Sequence, residues 1–311
     1  MGRKQSRRRT RKLRTRKVPS KSHFKKHHCS PKERTLDFSC LPRKSLQQIA
    51  KALNRLHNLE IPYKQVEDTQ LYSDICSGMK DNYNCNSEAC WLKAHKLMNL
   101  LPSKEEKYIK EHFRSFMSDE IAKDTSNWLS NVDIDSMLKQ HHKEKKDVYY
   151  YEATPRDFHN CSVSHLCNLD IHKHLNRGET KLITVFNTDD SSGGGQHWIA
   201  YYVDLRGHNF EQPGIYFFDS FGSKPMKEVQ DLTERIKEQG KSTKSGNPIE
   251  FIVTHNPHSF QKNSFSCGFY CMHFLEHMIS NLSFESYLNS GLNDKMMINY
   301  RNRCFIHPDE I

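Results

Sequence analysis

Four residues of this 311-residue chain have the types and order that acyl transfer by a thiol requires. Cys267 stands in Ser-Cys-Gly at the head of the apolar run NSFSCGFYCMHFLEH, Asn263 to His277. A thiolate there would attack a carbonyl carbon. His197, directly after the loop SSGGGQ, could pair with that thiolate and later protonate the leaving amine. Asp219, in YFFDSFG, could orient the imidazole through its other nitrogen. Gln261, six residues before the cysteine, could offer its amide to the developing oxyanion beside the cysteine's own N–H. This chemistry uses no cofactor and no metal.

The same run also supports a metal reading. It ends in His-Phe-Leu-Glu-His, which matches the H-x-x-E-H pattern of inverted zinc peptidases through His273, Glu276 and His277. Such a site needs a further carboxylate well downstream. Only 34 residues follow His277, and their acids, such as Glu285 and Asp294, lie close by. A buried helix is the simpler account: Phe269, Tyr270, Met272, Phe274, Leu275, Met278 and Ile279 are apolar, leaving the three residues and Ser280 as a solvated polar stripe. Cys271, one turn into the run on its apolar side, reads as core. His159, Cys161, His165 and Cys167 have the residue types of an incidental metal site, whereas Cys76, Cys85 and Cys90 are too irregularly spaced for a zinc knuckle.

The elements that must position the quartet come after Val148. KLITVFNT, HWIAYYVD, GIYFFDS and IEFIVTH are apolar or alternating runs bounded by Gly, Asp, Asn and Pro, and they read as strands. The second and third are apolar on both faces, which predicts central positions. KPMKEVQDLTERIKEQG between the third and fourth is an amphipathic helix expected to end at Gly240. With the apolar helix at Cys267, which seats the thiolate at a helix N-terminus, the pattern is α+β. His197 and Asp219 then fall at strand ends.

Before Val148 the periodicity is helical. SLQQIAKALNRLHN places Leu46, Ile49, Ala50, Leu53 and Leu56 on one stripe. SEACWLKAHKLMNLL is capped at Ser87, SKEEKYIKEHFRSFM at Ser103, and a further helix is expected over about 126–139. KQHHKEKKD, Lys139 to Asp147, reads as a charged connector. Residues 1–26 hold 13 Lys and Arg and no acid, more than the net charge of +10 of the whole chain, so the remainder is net acidic. That tail has almost no apolar side chains with which to fold. It is expected to be disordered and to bind DNA or RNA phosphates or act as a nuclear-localisation-type signal. No run of 18 apolar residues exists, so no membrane insertion is expected. Ten cysteines at irregular spacing suggest free thiols of a reducing compartment.

The order His, Asp, Gln, Cys, with HW at 197–198, FDSFG at 218–222 and Q-x5-CG at 261–268, resembles the adenain- and Ulp-like cysteine proteases. TKLITVFNTDDSSGGGQHWIAYYVD, GIYFFDSFGSKP, NSFSCGFYCMHFLEHM and NDKMMINYRNRCF look like the proteases of large cytoplasmic DNA viruses such as African swine fever virus and mimivirus. CSPKERTLDFSC, LQQIAKALN and CNSEACWL look like the helical arm domain of that group. The resemblance covers about 29–305. It implies a mixed central sheet flanked by helices, with a helical arm (29–147) and a protease domain (148–311); the basic tail (1–28) lies outside it. It implies His197 as general base, Asp219 as orienting acid, Gln261 as oxyanion donor, Cys267 as nucleophile and Trp198 as the aromatic that narrows the cleft. The 22-residue step from His197 to Asp219 is longer than in compact relatives, with RGHNFEQPG as a hairpin insertion and Asp204 as the fallback acid.

Three functions follow as expectations. The first is an endopeptidase that cuts viral structural polyproteins after Gly-Gly, in the virion and the host cytoplasm, with the tail leaving the nucleus open as an address. The second is removal of a SUMO- or ubiquitin-like modifier. The third is a non-catalytic virion protein that binds nucleic acid; an intact quartet argues against it.

Overall fold

The structure is a computed structural model; it describes residues 24–31, 36–124, 126–242 and 247–311. Two compact units emerge, one of residues up to Phe116 together with Phe305–Ile311, the other of Met117–Cys304.

The first unit is helical: α1 (Arg43–His57), α2 (Asp68–Tyr83), α3 (His95–Met98) and α4 (Ser103–Lys110). The α1 stripe buries Leu46, Ile49, Ala50 and Leu53, and the helix ends where Asn58 turns left-handed at φ 54°. Sequence periodicity missed α2, whose Leu71, Ile75, Cys76 and Met79 face the same core. The stretch expected as one helix from Ser87 is instead a 3₁₀ turn, Ala89–Lys93, followed by α3.

Two corrections concern this unit. The cysteines were expected to be free thiols, yet Cys29–Cys40 and Cys85–Cys90 are disulfides here, as is Cys161–Cys167 in the second unit. Separations of 11, 5 and 6 residues let local turns bring each pair together, which irregular spacing hides. Cys76, Cys267, Cys271 and Cys304 are not in disulfides. The second correction is the tail's end. Lys26–His28 form a 3₁₀ turn, and Lys25, His27 and His28 all contact the Glu310 carboxylate. The rest of the expected tail lies outside the described residues.

The second unit contains α5 (Asp119–Lys123), α6 (Asn131–Glu144), α7 (Ile171–Asn176), α8 (Lys227–Lys241), α9 (Cys267–Ile279), α10 (Phe284–Leu288), α11 (Asp294–Cys304) and a five-stranded sheet. The strands β1 (Val148–Tyr150), β2 (Lys181–Asn187), β3 (Trp198–Asp204), β4 (Gly214–Phe218) and β5 (Ile252–His255) lie in sequence order. The two edge pairings are parallel and the two inner pairings antiparallel. Every residue of β2, β3 and β4 is buried, as expected for strands covered on both faces. Alternation assigns the faces. Ile199, Tyr201, Val203, Ile215 and Phe217 share a core with Val229, Leu232 and Ile236 of α8. On the other face Phe218 stacks on Phe274 of α9 at 4.9 Å and meets Tyr287 of α10 edge-on at 5.3 Å. Each such buried aromatic stabilises the sandwich by about 1.5–3 kcal/mol.

The division between units is not at 147/148. The expected connector is the second half of α6, which starts in a full capping box between Ser130 and Asp133. That helix belongs to the sheet's unit: Asp135 accepts from Tyr150 Oη at 2.7 Å and from the Ala153 N–H at 2.8 Å, and His141 pairs with Glu276 of α9 at 2.9 Å. At the other end the chain returns to the helical unit, where Ile306 donates its N–H to Ser115 O at 2.9 Å. Gly240 also departs from expectation, lying inside α8. A Cβ there would meet Ile249 O at 2.6 Å, so a close chain approach demands the glycine.

Candidate active site

His197 immediately precedes β3, and Asp219 immediately follows β4. Since these strands are antiparallel with Ala200 opposite Phe218, both residues arrive at the same end of the sheet. His197 Nε2 lies 2.7 Å from Asp219 Oδ1. The long step between them is a closed hairpin, so its length does not alter where its ends meet. Asp204 stands at the opposite end of β3, seven residues and about 23 Å from His197 at the usual strand rise. Its buried carboxylate accepts the N–H groups of Arg206, Gly207 and Asn209 at 3.0, 2.9 and 3.0 Å. It shapes the hairpin and does not meet His197.

Asp219 is held on all sides. Its carboxylate also accepts from the N–H of Phe221 at 2.9 Å and of Ser223 at 3.3 Å. The side chain of Asn256, which the sequence reading missed, brackets the Asp219 backbone. Its Oδ1 accepts the Asp219 N–H at 2.9 Å, and its Nδ2 donates to the Asp219 carbonyl at 2.6 Å. Burial pushes the Asp219 carboxyl up, but the hydrogen bond and charge of His197, with the Phe221 N–H, more than reverse this and leave it below its ordinary value.

The imidazole connects acid and thiol. With Nε2 given to Asp219, the other ring nitrogen is left for the Cys267 sulfur, which lies near enough to the ring to raise its pKa. Burial alone would lower the His197 pKa; the hydrogen bonds to Asp219 and Cys267, and their charges, raise it to about 9. Phe221 lies against the ring at 5.0 Å between centroids and is 43% exposed. Sequence reading missed it too, although it stands within the FDSFG motif.

Cys267 is the first residue of α9, where N–H groups have no intrahelical partner and the dipole favours negative charge. Asn263 builds the turn before it, accepting the N–H groups of Phe265 and Ser266 at 3.0 and 2.9 Å and donating to Ser266 Oγ at 2.9 Å. The next residue must be small: a Cβ on Gly268 would sit 3.0 Å from Leu129 Cδ1 and 3.4 Å from Trp198 Cδ1. Trp198 is 6% exposed and donates its indole N–H to Leu129 O at 2.8 Å. It therefore packs beneath the helix start, and the exposed aromatic beside the imidazole is Phe221.

Gln261 is buried in the loop before α9. Its Oε1 accepts from Ser220 Oγ at 2.6 Å, and its Nε2 donates to Asn263 O at 2.8 Å. The amide is thus tied to the residue after Asp219 and to the turn that carries Cys267. Cys271 is buried a turn deeper, and burial raises its thiol well above the ordinary value.

The H-x-x-E-H residues are half-buried rather than a solvated stripe. His273 meets the Tyr287 hydroxyl at 3.4 Å, Glu276 pairs with His141, and His277 donates to Ser283 O at 2.9 Å. Three separate neighbours engage the three side chains. In the other group, the disulfide removes both Cys161 and Cys167 as thiolate ligands. No helix among the described residues is long and apolar enough to cross a membrane.

The sequence profile of the Ulp1 protease family, C-terminal catalytic domain, matches residues 93–311. The chain is 30% identical over 193 residues to a protein of Acanthamoeba polyphaga mimivirus named "Putative thiol protease", covering 62% of this chain and 61% of that protein. It is 30% identical over 121 residues to a SUMO-1 cysteine protease of African swine fever virus, covering 39% of this chain and 42% of that one. The matched region spans less than two thirds of the length of either relative. A crystal structure of the African swine fever virus protease shares the fold, with a TM-score of 0.66 at 20% identity over 93% of this chain and 99% of that one.

Proposed function

Because the chain belongs to the Ulp1 protease family, we propose that it is a viral cysteine endopeptidase that cuts structural polyproteins after Gly-Gly, with Cys267 as nucleophile. The observation that carries this reading is one imidazole, His197, bonded to the Asp219 carboxylate at 2.7 Å and raised in pKa by both Asp219 and Cys267. The thiolate attacks the scissile carbonyl, and the imidazolium then delivers its proton to the leaving amine. Asp219, buried and fixed by Asn256, keeps the ring in register and stabilises its charge. Gln261 Nε2 and the Cys267 backbone N–H receive the oxyanion. Water attack on the thioester completes the cycle. Glycines at the cut would let an extended substrate chain approach the thiolate with no Cβ in the way. The same proposal puts its action in the virion and host cytoplasm.

A second reading, removal of a SUMO-like modifier, is favoured by the name of the African swine fever virus relative. Fluorogenic peptides and folded ubiquitin-like fusions, offered in parallel to wild type and Cys267→Ala, separate the two. Gly-Gly peptides are expected to be cut by wild type only, and replacing the second Gly by Ala should lower kcat/KM by about 10²-fold, the cost of a misplaced carbonyl. Iodoacetamide should abolish turnover, and Cys271→Ser should retain it. Equal cleavage of Ala-Ala and Gly-Gly peptides would sink the specificity, and cleavage of fusions alone would promote deconjugation.

A further inference from the structure

A glutamine that stabilises an oxyanion must present its NH2 end, yet the two ends of a primary amide have nearly the same shape. In this site both ends are tied. Ser220 Oγ donates to Gln261 Oε1 at 2.6 Å, and Gln261 Nε2 donates to the carbonyl of Asn263 at 2.8 Å, with Asn263 Oδ1 farther away at 3.4 Å. Turned over, Oε1 would face the Asn263 carbonyl, acceptor against acceptor. A hydroxyl can donate or accept, so Ser220 by itself tolerates either orientation. The carbonyl breaks the tie, and the hydroxyl is then obliged to donate.

We propose that Ser220 is a positioning residue that locks the Gln261 amide with its NH2 end held by the Asn263 carbonyl and able to donate to the oxyanion. The inference rests on the reading of Gln261 as oxyanion donor. Ser220 and Gln261 are both buried, at 0% and 2% exposure, so water does not ordinarily substitute for the hydroxyl. The Ser220 carbonyl also accepts the N–H groups of Phe260 and Gln261 at 2.8 and 3.0 Å, which registers this loop against residue 220. The residue before it is Asp219. One dipeptide therefore orients the imidazole with its first side chain and the amide with its second. Removing the hydroxyl leaves Oε1 without its donor and the amide held at one end only, so it can swing about its bond to Asn263 or admit water into the oxyanion position.

The test compares Ser220→Ala, Ser220→Thr, Gln261→Ala and the Ser220→Ala/Gln261→Ala double variant on one Gly-Gly peptide. It adds the affinity of a peptide aldehyde, whose thiol adduct carries the oxyanion. Removing an oxyanion donor lowers kcat by about 10²–10³, and misorienting it should cost about tenfold or more. Ser220→Ala is expected to lower kcat with KM held within about twofold, to weaken the aldehyde in step with kcat/KM, and to be rescued by Ser220→Thr. The double variant should be no slower than Gln261→Ala. Losses that multiply in the double variant, or a Ser220→Ala enzyme with wild-type kcat beside an impaired Gln261→Ala, overturn the positioning role. A Gln261→Ala enzyme as fast as wild type overturns the oxyanion-donor reading itself.

Discussion

The proton on His197 is the residue-scale quantity that governs this site. Burial opposes it, and the hydrogen bonds to Asp219 and Cys267 hold it, giving a pKa of about 9. In the proposed mechanism the imidazolium protonates the leaving amine, so kcat/KM should stay level through neutral pH and fall as pH rises through about 9. Asp219→Asn removes the bonded negative charge and leaves the burial penalty, so the alkaline limb should shift to lower pH. A wild-type limb near 6.5 would contradict this account. The same proton contributes to folding, because its pKa lies above the unfolded value of about 6.5. That stability is fully present below about 6.5 and is lost as pH rises through about 9. Asp219 has the opposite sign: its depressed pKa contributes stability above its unfolded value of about 3.9, lost as pH falls through the folded one.

At the scale of elements, α9 is placed by what lies under its first turn. Trp198 and Leu129 are joined by a 2.8 Å hydrogen bond, and together they occupy the space a side chain at 268 would need. Gly268→Ala should therefore push the helix start away from His197. Overpacking of this kind costs about 1–3 kcal/mol, to be read from denaturant midpoints. A loss of kcat/KM larger than the stability change explains is expected, since attack geometry fails before folding does. An Ala variant with unchanged kinetics and midpoint would show that α9 can shift without consequence. The helix expected over about 126–139 runs on to Glu144 as α6, through the stretch read as a connector. Its second half is so charged that composition suggests a connector, yet Asp135 and His141 on its inner face are bonded to β1, its flanking loop and α9.

On the scale of the molecule, charge and chemistry are separated along the chain. The quartet comes from residues after 196, whereas 11 of the 13 cations of the basic tail lie in residues 1–23. Lys25 and Lys26 belong to the segment around Glu310, so the informative truncation removes 1–23 and spares them. This truncation should leave peptide hydrolysis unchanged. It should weaken DNA or RNA binding and flatten its dependence on salt, as fewer counterions are released. Fluorescence anisotropy across a salt series is the measurement, and an unchanged slope would move the polyanion site to the folded body.

Sequence alone determined the order His197, Asp219, Gln261, Cys267, four of the five strands and the buried character of α9, because side-chain type and hydrophobic period are local properties. It took Asp219 as the orienting acid only through the family resemblance and kept Asp204 as the fallback. Both are aspartates at strand ends, and only the antiparallel register sends one of them to the imidazole. Nor could it find Asn256, Asn263 or Ser220, whose work consists of hydrogen bonds between loops that share no motif. The disulfides and the division between units depend on turns and on the return of residues 305–311, contacts that leave no periodic trace in the chain. Which residues can do chemistry is written in their types; which of them meet is decided by the closing of the sheet and the docking of α9 upon it.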